Sequence, residues 1–205
     1  MTSKTDVRGL FVAIEGPNGV GKTTVCAELA AQLRERGLSV HPTTEPSATP
    51  LGRLLRSGEA TLQGRALALG VAADRYAHLE GEVGPAVDAG QYVLSDRYVQ
   101  SSLVLQRLDG MSVAEIWSYN RYVRRPDLSV YLSESPERIA VRLAERRQRS
   151  RLETAGSPER ELRLYREAYE FLQAHGWTQI IVKCRGQTPA RIAHRIVTHL
   201  HLLTK

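Results

Sequence analysis

The sequence predicts an α/β domain in which a parallel sheet is covered by helices on both faces. Short apolar runs alternate along the chain with segments of helical periodicity, an order that parallel strands joined by helical crossovers produce. The first run, residues 10–14, leads into Gly16-Pro17-Asn18-Gly19-Val20-Gly21-Lys22-Thr23, which has the spacing of a phosphate-binding loop between a strand and a helix. The 205 residues, 42% hydrophobic, suffice for one such domain with a substantial core.

Each element follows from its own signals. After the loop, Val25, Leu29 and Leu33 recur at helical spacing and Gly37 stands where a helix stops, so residues 24–36 are expected to be helical. A short strand follows over 39–43, broken by Glu45-Pro46. Residues 51–56 suit a short helix, and 67–89 a longer helical region with kinks at Gly70, Gly81, Gly84 and Pro85, ending at Gly90. Residues 91–95 form a strand running into Asp96, 113–124 a helix, and 128–132 a further strand after Pro126-Asp127. Pro136 opens a helix expected to reach 147. A polar stretch, a helix over 158–175, a strand over 179–183 and a last helix over 189–202 complete the chain. There is no internal repeat and no low-complexity segment.

Composition narrows the functional classes. No stretch approaches the apolar length of a membrane span, and residues 1–9 lack the apolar centre of a secretion signal, so a cytoplasmic protein is expected. Cys26 and Cys184 are far apart and outside any CxxC pattern, which supports neither a disulfide framework nor a zinc site. The formal net charge of +6 comes from 24 Arg and 4 Lys against 22 acidic residues. Several arginines concentrate between 138 and 151, which suits a local anionic ligand better than a broad nucleic-acid face.

In the loop, glycines let successive N–H groups turn inward around phosphate oxygens at a helix N-terminus, where the helix dipole also favours negative charge. Lys22 would reach the β- and γ-phosphates of a nucleoside triphosphate, and Thr23 would ligate Mg²⁺. Ligands gather at the carboxyl ends of parallel strands, and Asp96-Arg97-Tyr98 closes one of them. Asp96 can hold metal-bound water or accept a proton, and Arg97 can clamp an acceptor phosphate; an exposed Asp-Arg pair is the plainer alternative. Arg142, Arg146, Arg147, Arg149 and Arg151 read alone as a solvated helix face with partners such as Glu145. Beside a phosphate loop with no basic residue before Lys22, they also offer the charge that a transferring phosphoryl group needs. Asp74-Arg75 in the long helical region could meet an anion or remain an ordinary surface pair.

Taken in order, Ile14-Glu15-Gly16 at the phosphate loop, Thr44-Glu45-Pro46, Ala73-Asp74-Arg75, Asp96-Arg97-Tyr98 with Ser101 and Gln106 behind it, Arg125-Pro126-Asp127 and Arg151-Leu152-Glu153 run nearly end to end. In this arrangement the chain resembles the thymidylate kinase family, which transfers the γ-phosphoryl group of ATP to dTMP. The resemblance implies a three-layer P-loop NTPase fold with a five-stranded parallel sheet, one domain over 1–205 with an Arg-rich lid at about 142–157, a homodimer, and ATP with Mg²⁺. Gly16, Asn18, Gly19, Val20, Gly21, Lys22, Thr23 and Thr24 then fall on the ATP side, with Thr23 and Asp96 at the metal. Lys22, Asp96, Arg97, Arg146 and Arg151 become the catalytic set. Arg75 and Arg97 look like acceptor-phosphate ligands, among acceptor-side positions Asn18, Thr44, Glu45, Val71, Ser101, Leu105 and Gln106.

Four of those acceptor positions depart from the family. Thr44 stands for an arginine that meets the acceptor phosphate, Asn18 for an acid facing sugar and phosphate, Val71 for a phenylalanine stacked on thymine, and Leu105 for a tyrosine crowding the 2′ position. The expected activity is therefore ATP-dependent phosphorylation of a pyrimidine nucleoside monophosphate. dTMP leads, and a modified or ribose pyrimidine nucleotide follows. A nucleoside kinase with Asp96 or Glu15 as base, or a non-catalytic nucleotide-binding regulator, stays open at this level. Neither membrane nor nucleic acid is expected as a partner.

Overall fold

The computed structural model describes residues 9–146 and 151–203; Arg147 and Arg149 lie outside the described residues. Strands β1 (Leu10–Glu15), β2 (Val40–Thr44), β3 (Tyr92–Asp96), β4 (Leu128–Ser133) and β5 (Gln179–Lys183) form one parallel sheet in the order β2-β3-β1-β4-β5. Central β1 is apolar without alternation up to Glu15, and every residue in it is buried, as a strand covered on both faces requires. Leu10, Val12 and Ile14 face a core shared with α1 (Lys22–Glu35) and α10 (Pro189–Leu203). Phe11 and Ala13 face the second core, which is closed by α3 (Gly64–His78), α5 (Val99–Leu108), α6 (Val113–Asn120) and α9 (Pro158–Ala174).

Local capping chemistry starts several helices where the sequence predicts. α2 (Pro50–Ser57), α7 (Pro136–Ala144) and α9 each carry proline in the first turn, after Thr49, Ser135 and Ser157. Those hydroxyls accept from the N–H groups of Gly52, Arg138 and Arg160, satisfying donors that a helix start leaves open. The long region at 67–89 divides into α3, a wide π turn over Leu79–Val83 and α4 (Gly84–Asp88). The break falls at the expected Gly81, Gly84 and Pro85, where proline has no N–H for the helical ladder.

The structure corrects the prediction in three places. α5 was not expected, because the groups that cap it are distant in sequence. α6 stops at Asn120, whose side-chain amide donates to the Ile116 carbonyl at 2.7 Å and competes with helix continuation. α7 ends at Ala144 rather than 147, and a short helix α8 (Arg151–Ala155) occupies part of the polar stretch.

Candidate active site

The loop after β1 wraps back onto itself as its glycines dictate. Gly16, Gly19 and Gly21 take positive φ values of 142°, 79° and 105°. A Cβ at Gly16 would stand 2.6 Å from the Leu132 carbonyl oxygen, so only glycine allows β1 and β4 to approach there. Lys22 opens α1 and donates Nζ to the carbonyls of Gly16 (2.8 Å) and Pro17 (3.1 Å). Burial, reinforced by the charge of Arg97, pulls its pKa down to about 7. From α7, Arg142 donates to the Val20 carbonyl at 2.9 Å. Arg142, Arg146, Thr24, Gly19, Val20 and Gly21 line part of a cavity of about 340 Å³ on the outer side of the loop.

At the inner side, Thr23 Oγ1 donates to Asp96 Oδ2 at 2.6 Å. Asp96 Oδ1 is buried with no hydrogen-bond partner among the described residues. The chain then turns sharply: Arg97 has φ 81°, a left-handed conformation that costs a non-glycine residue about 1–3 kcal/mol. Its N–H donates to the Ile14 carbonyl at 3.1 Å. Its guanidinium donates to Asn18 Oδ1 at 2.6 Å and Ser101 Oγ at 3.1 Å. Asn18 in turn donates its backbone N–H and its Nδ2 to Glu161 of α9.

Glu15 lies below this group, fully buried. It accepts the N–H groups of Tyr98 (2.6 Å) and Ser101 (3.1 Å), the Ser101 hydroxyl (2.7 Å) and the Tyr165 hydroxyl (3.3 Å). Its pKa is raised by burial, against the pull of those donors. With both oxygens engaged, it holds the start of α5 and is not placed to act as a free base.

A cleft of about 350 Å³ extends from Asn18, Thr23, Asp96 and Arg97 between α2, α3 and α5. Arg75 lies in its wall, fully buried. Its Nε donates to Glu45 at 2.7 Å, its Nη1 to Asn120 Oδ1, and its Nη2 to the Tyr98 carbonyl (3.2 Å) and Ser102 Oγ (3.0 Å). Its guanidinium carbon also sits 5.3 Å from the centre of the Tyr98 ring. Glu45 uses its other oxygen toward His78 Nδ1 at 3.4 Å. Arg75 and Arg97 therefore belong to different hydrogen-bond networks. Thr44 donates its hydroxyl to the Asp96 carbonyl at 3.1 Å. Val71 and Leu105 join Leu55, Leu67 and Leu152 in an aliphatic wall. Gln106 lines the same cleft, and its Oε1 is buried without a partner among the described residues.

Not every predicted residue meets here. Arg151 turns away from the phosphate loop, pairing with Asp109 at 2.5 and 3.0 Å and donating to the Glu59 carbonyl at 2.8 Å. Arg146 is exposed at the outer cavity. Conversely, Glu161, Asn120 and Ser102 enter the site although no motif of the sequence picks them out, and Leu152, quoted there only within Arg151-Leu152-Glu153, lines the cleft. The site partners of the first three, Asn18 for Glu161 and Arg75 for Asn120 and Ser102, are at least 27 residues away, and a glutamate in a first helical turn carries no local mark of burial.

A phosphate loop at the start of α1, beside a cleft at the ends of β2 and β3, is the frame of a phosphate-loop nucleoside monophosphate kinase. A family model described as thymidylate kinase matches residues 14–187, and the chain belongs to that family. It is 38% identical over 141 residues to a probable thymidylate kinase of Caldivirga maquilingensis, covering 67% of this chain and 69% of that protein. It is 38% identical over 152 residues to the thymidylate kinase of Geobacillus thermodenitrificans (70% and 68%), and 40% over 154 residues to that of Thermomicrobium roseum (67% of each).

Proposed function

We propose that this protein transfers the γ-phosphoryl group of ATP to the 5′-phosphate of dTMP, forming dTDP. The observation that carries the reading is the junction of Thr23, Asp96 and Arg97. A hydroxyl and an unpartnered carboxylate oxygen from the donor side meet a fixed guanidinium at the mouth of the acceptor cleft.

The loop N–H groups and Lys22 bind the β- and γ-phosphates, and Thr23 with Asp96 would hold Mg²⁺. When bound, Mg²⁺ neutralises phosphate charge. The orphaned Asp96 Oδ1 beside the Thr23 hydroxyl fits that donor set. Arg97 fixes the acceptor phosphate in line. Thr44 offers at most a hydroxyl there, already given to a carbonyl. Gln106 reads the pyrimidine edge with its free carbonyl, and Val71 and Leu105 pack on the ring. Arg75 supports this floor through Glu45 and Asn120.

Arg142 and Arg146 approach the transferring group from the lid, about 142–157, within a single domain. Arg151 joins them only after leaving Asp109. An acceptor phosphate is a nucleophile at neutral pH, so no general base is required. A nucleoside kinase would need one: Glu15 is occupied, and Asp96 is assigned to the metal in this reading.

A homodimer in the cytoplasm completes the reading. Among the described residues no helix is long and apolar enough to cross a membrane. A coupled ADP-release assay across nucleoside monophosphates and unphosphorylated nucleosides tests the function. Turnover with dTMP supports it, and turnover with thymidine alone overturns it.

A further inference from the structure

Asn18 touches both halves of the site, and an amide can offer either a donor or an acceptor to its neighbour. Which end faces Arg97 is decided by Glu161. The first turn of α9 presses Glu161 against the phosphate loop, 3% exposed. Its Oε2 accepts the Asn18 backbone N–H at 2.8 Å and its Oε1 accepts Asn18 Nδ2 at 3.1 Å. An ionised carboxylate only accepts, so Nδ2 must point at Glu161 and Oδ1 at Arg97, which donates to it at 2.6 Å. We infer that Glu161 is a positioning residue for phosphoryl transfer, orienting Arg97 for the acceptor phosphate through the Asn18 amide.

The arrangement has a chemical consequence. The interposed side chain fixes the guanidinium by accepting one hydrogen bond from it, in the polarity that Glu161 sets. The same carboxylate pins the phosphate loop at residue 18, so helix α9 is bonded to that loop and, through Asn18, to Arg97.

The inference rests on the proposed function for the identity of the acceptor, and a reciprocal exchange tests it. Glu161→Gln turns one accepting oxygen into a donor. One Asn18 N–H then meets another donor, and the amide relieves this by flipping its Nδ2 toward Arg97, where it is again opposed. The KM for dTMP should rise about tenfold and kcat should fall, with the KM for ATP within about twofold of wild type and a cooperative thermal transition retained. Asn18→Asp alone sets two carboxylates against each other and should also impair the acceptor. In the double variant the aspartate accepts from Arg97 and from the new amide at 161, and acceptor kinetics should return to within about threefold of wild type.

If Glu161→Gln retains wild-type dTMP kinetics, or the folded double variant gains nothing over either single one, the inference falls. Failure of the wild type to phosphorylate dTMP overturns the functional reading instead. The same variants are then measured with whichever monophosphate of the panel is turned over. If none is, both readings fall.

Discussion

At the residue scale the site depends on a few side chains whose partners are fixed before any substrate arrives. Lys22 brings the only side-chain charge within the phosphate loop, and burial has already reduced its hold on a proton. Lys22→Ala should abolish turnover while leaving the thermal transition in place, because its two hydrogen bonds are to loop carbonyls that water can reach once the chain is shortened. Near-wild-type turnover would remove the donor assignment. Arg97→Ala should raise the KM for dTMP by about tenfold or more and lower kcat, with calorimetric affinity for a non-hydrolysable ATP analogue little changed. Equal weakening of ATP binding would place Arg97 on the donor side. Arg151 is the residue whose geometry departs furthest from its sequence pattern. Its pair with Asp109 sits beside the contact of Leu152 N–H with Glu59 Oε1 at 2.8 Å. Arg151→Ala and Asp109→Asn should therefore act on the acceptor KM non-additively in a double-mutant cycle. A tenfold loss of kcat confined to Arg151→Ala would return it to the transferring phosphoryl group.

At the element scale, α5 shows how a helix can depend on a remote strand. Its start has no side-chain cap of its own. The cap is Glu15, at the end of β1, accepting the N–H groups of Tyr98 and Ser101. Glu15→Ala should lower unfolding free energy by about 1–3 kcal/mol, the cost of leaving buried donors unmet, as read by denaturant titration. His78 ties α3 to β2 through Thr43 at 2.7 Å and to Glu45. Burial works against its charge, but the carboxylates of Glu45, Glu82 and Asp74 outweigh it and its pKa is raised. A raised histidine stabilises the fold below its unfolded value of about 6.5, and that contribution is lost as pH rises through the folded value. The stability difference between wild type and His78→Gln should therefore be greatest near pH 6 and shrink above it. A difference that grows with pH would reverse the assignment.

At the scale of the whole molecule, the cleft proposed for the acceptor collects β2, β3, α2, α3, α5 and α8 around one space of about 350 Å³. Its base end is aliphatic where the family resemblance implies rings. Val71→Phe should therefore raise kcat/KM for dTMP, since a ring stacked on the base contributes about 0.5–1.5 kcal/mol beyond area burial. A fall would mean that Leu55, Leu67 and Leu152 already fill that volume. Much of this architecture was legible in the chain. The phosphate loop, the five strands and the proline-capped starts of α2, α7 and α9 follow from turn chemistry and periodicity within a few residues. Asp96 and Arg97 were legible too, because a strand end places them. What the sequence by itself determined is the parallel sheet, the donor loop and the class of chemistry, since backbone conformation, glycine placement and helix capping are local. Only the tertiary structure decided that Glu15 caps α5, that Arg75 is a buried brace, that Arg151 faces Asp109 and that Glu161 orients Asn18. Each of these is a charged or polar group whose role is set by the partner that burial brings to it. That partner lies tens of residues away, where desolvation makes the pairing obligatory and no local pattern records it.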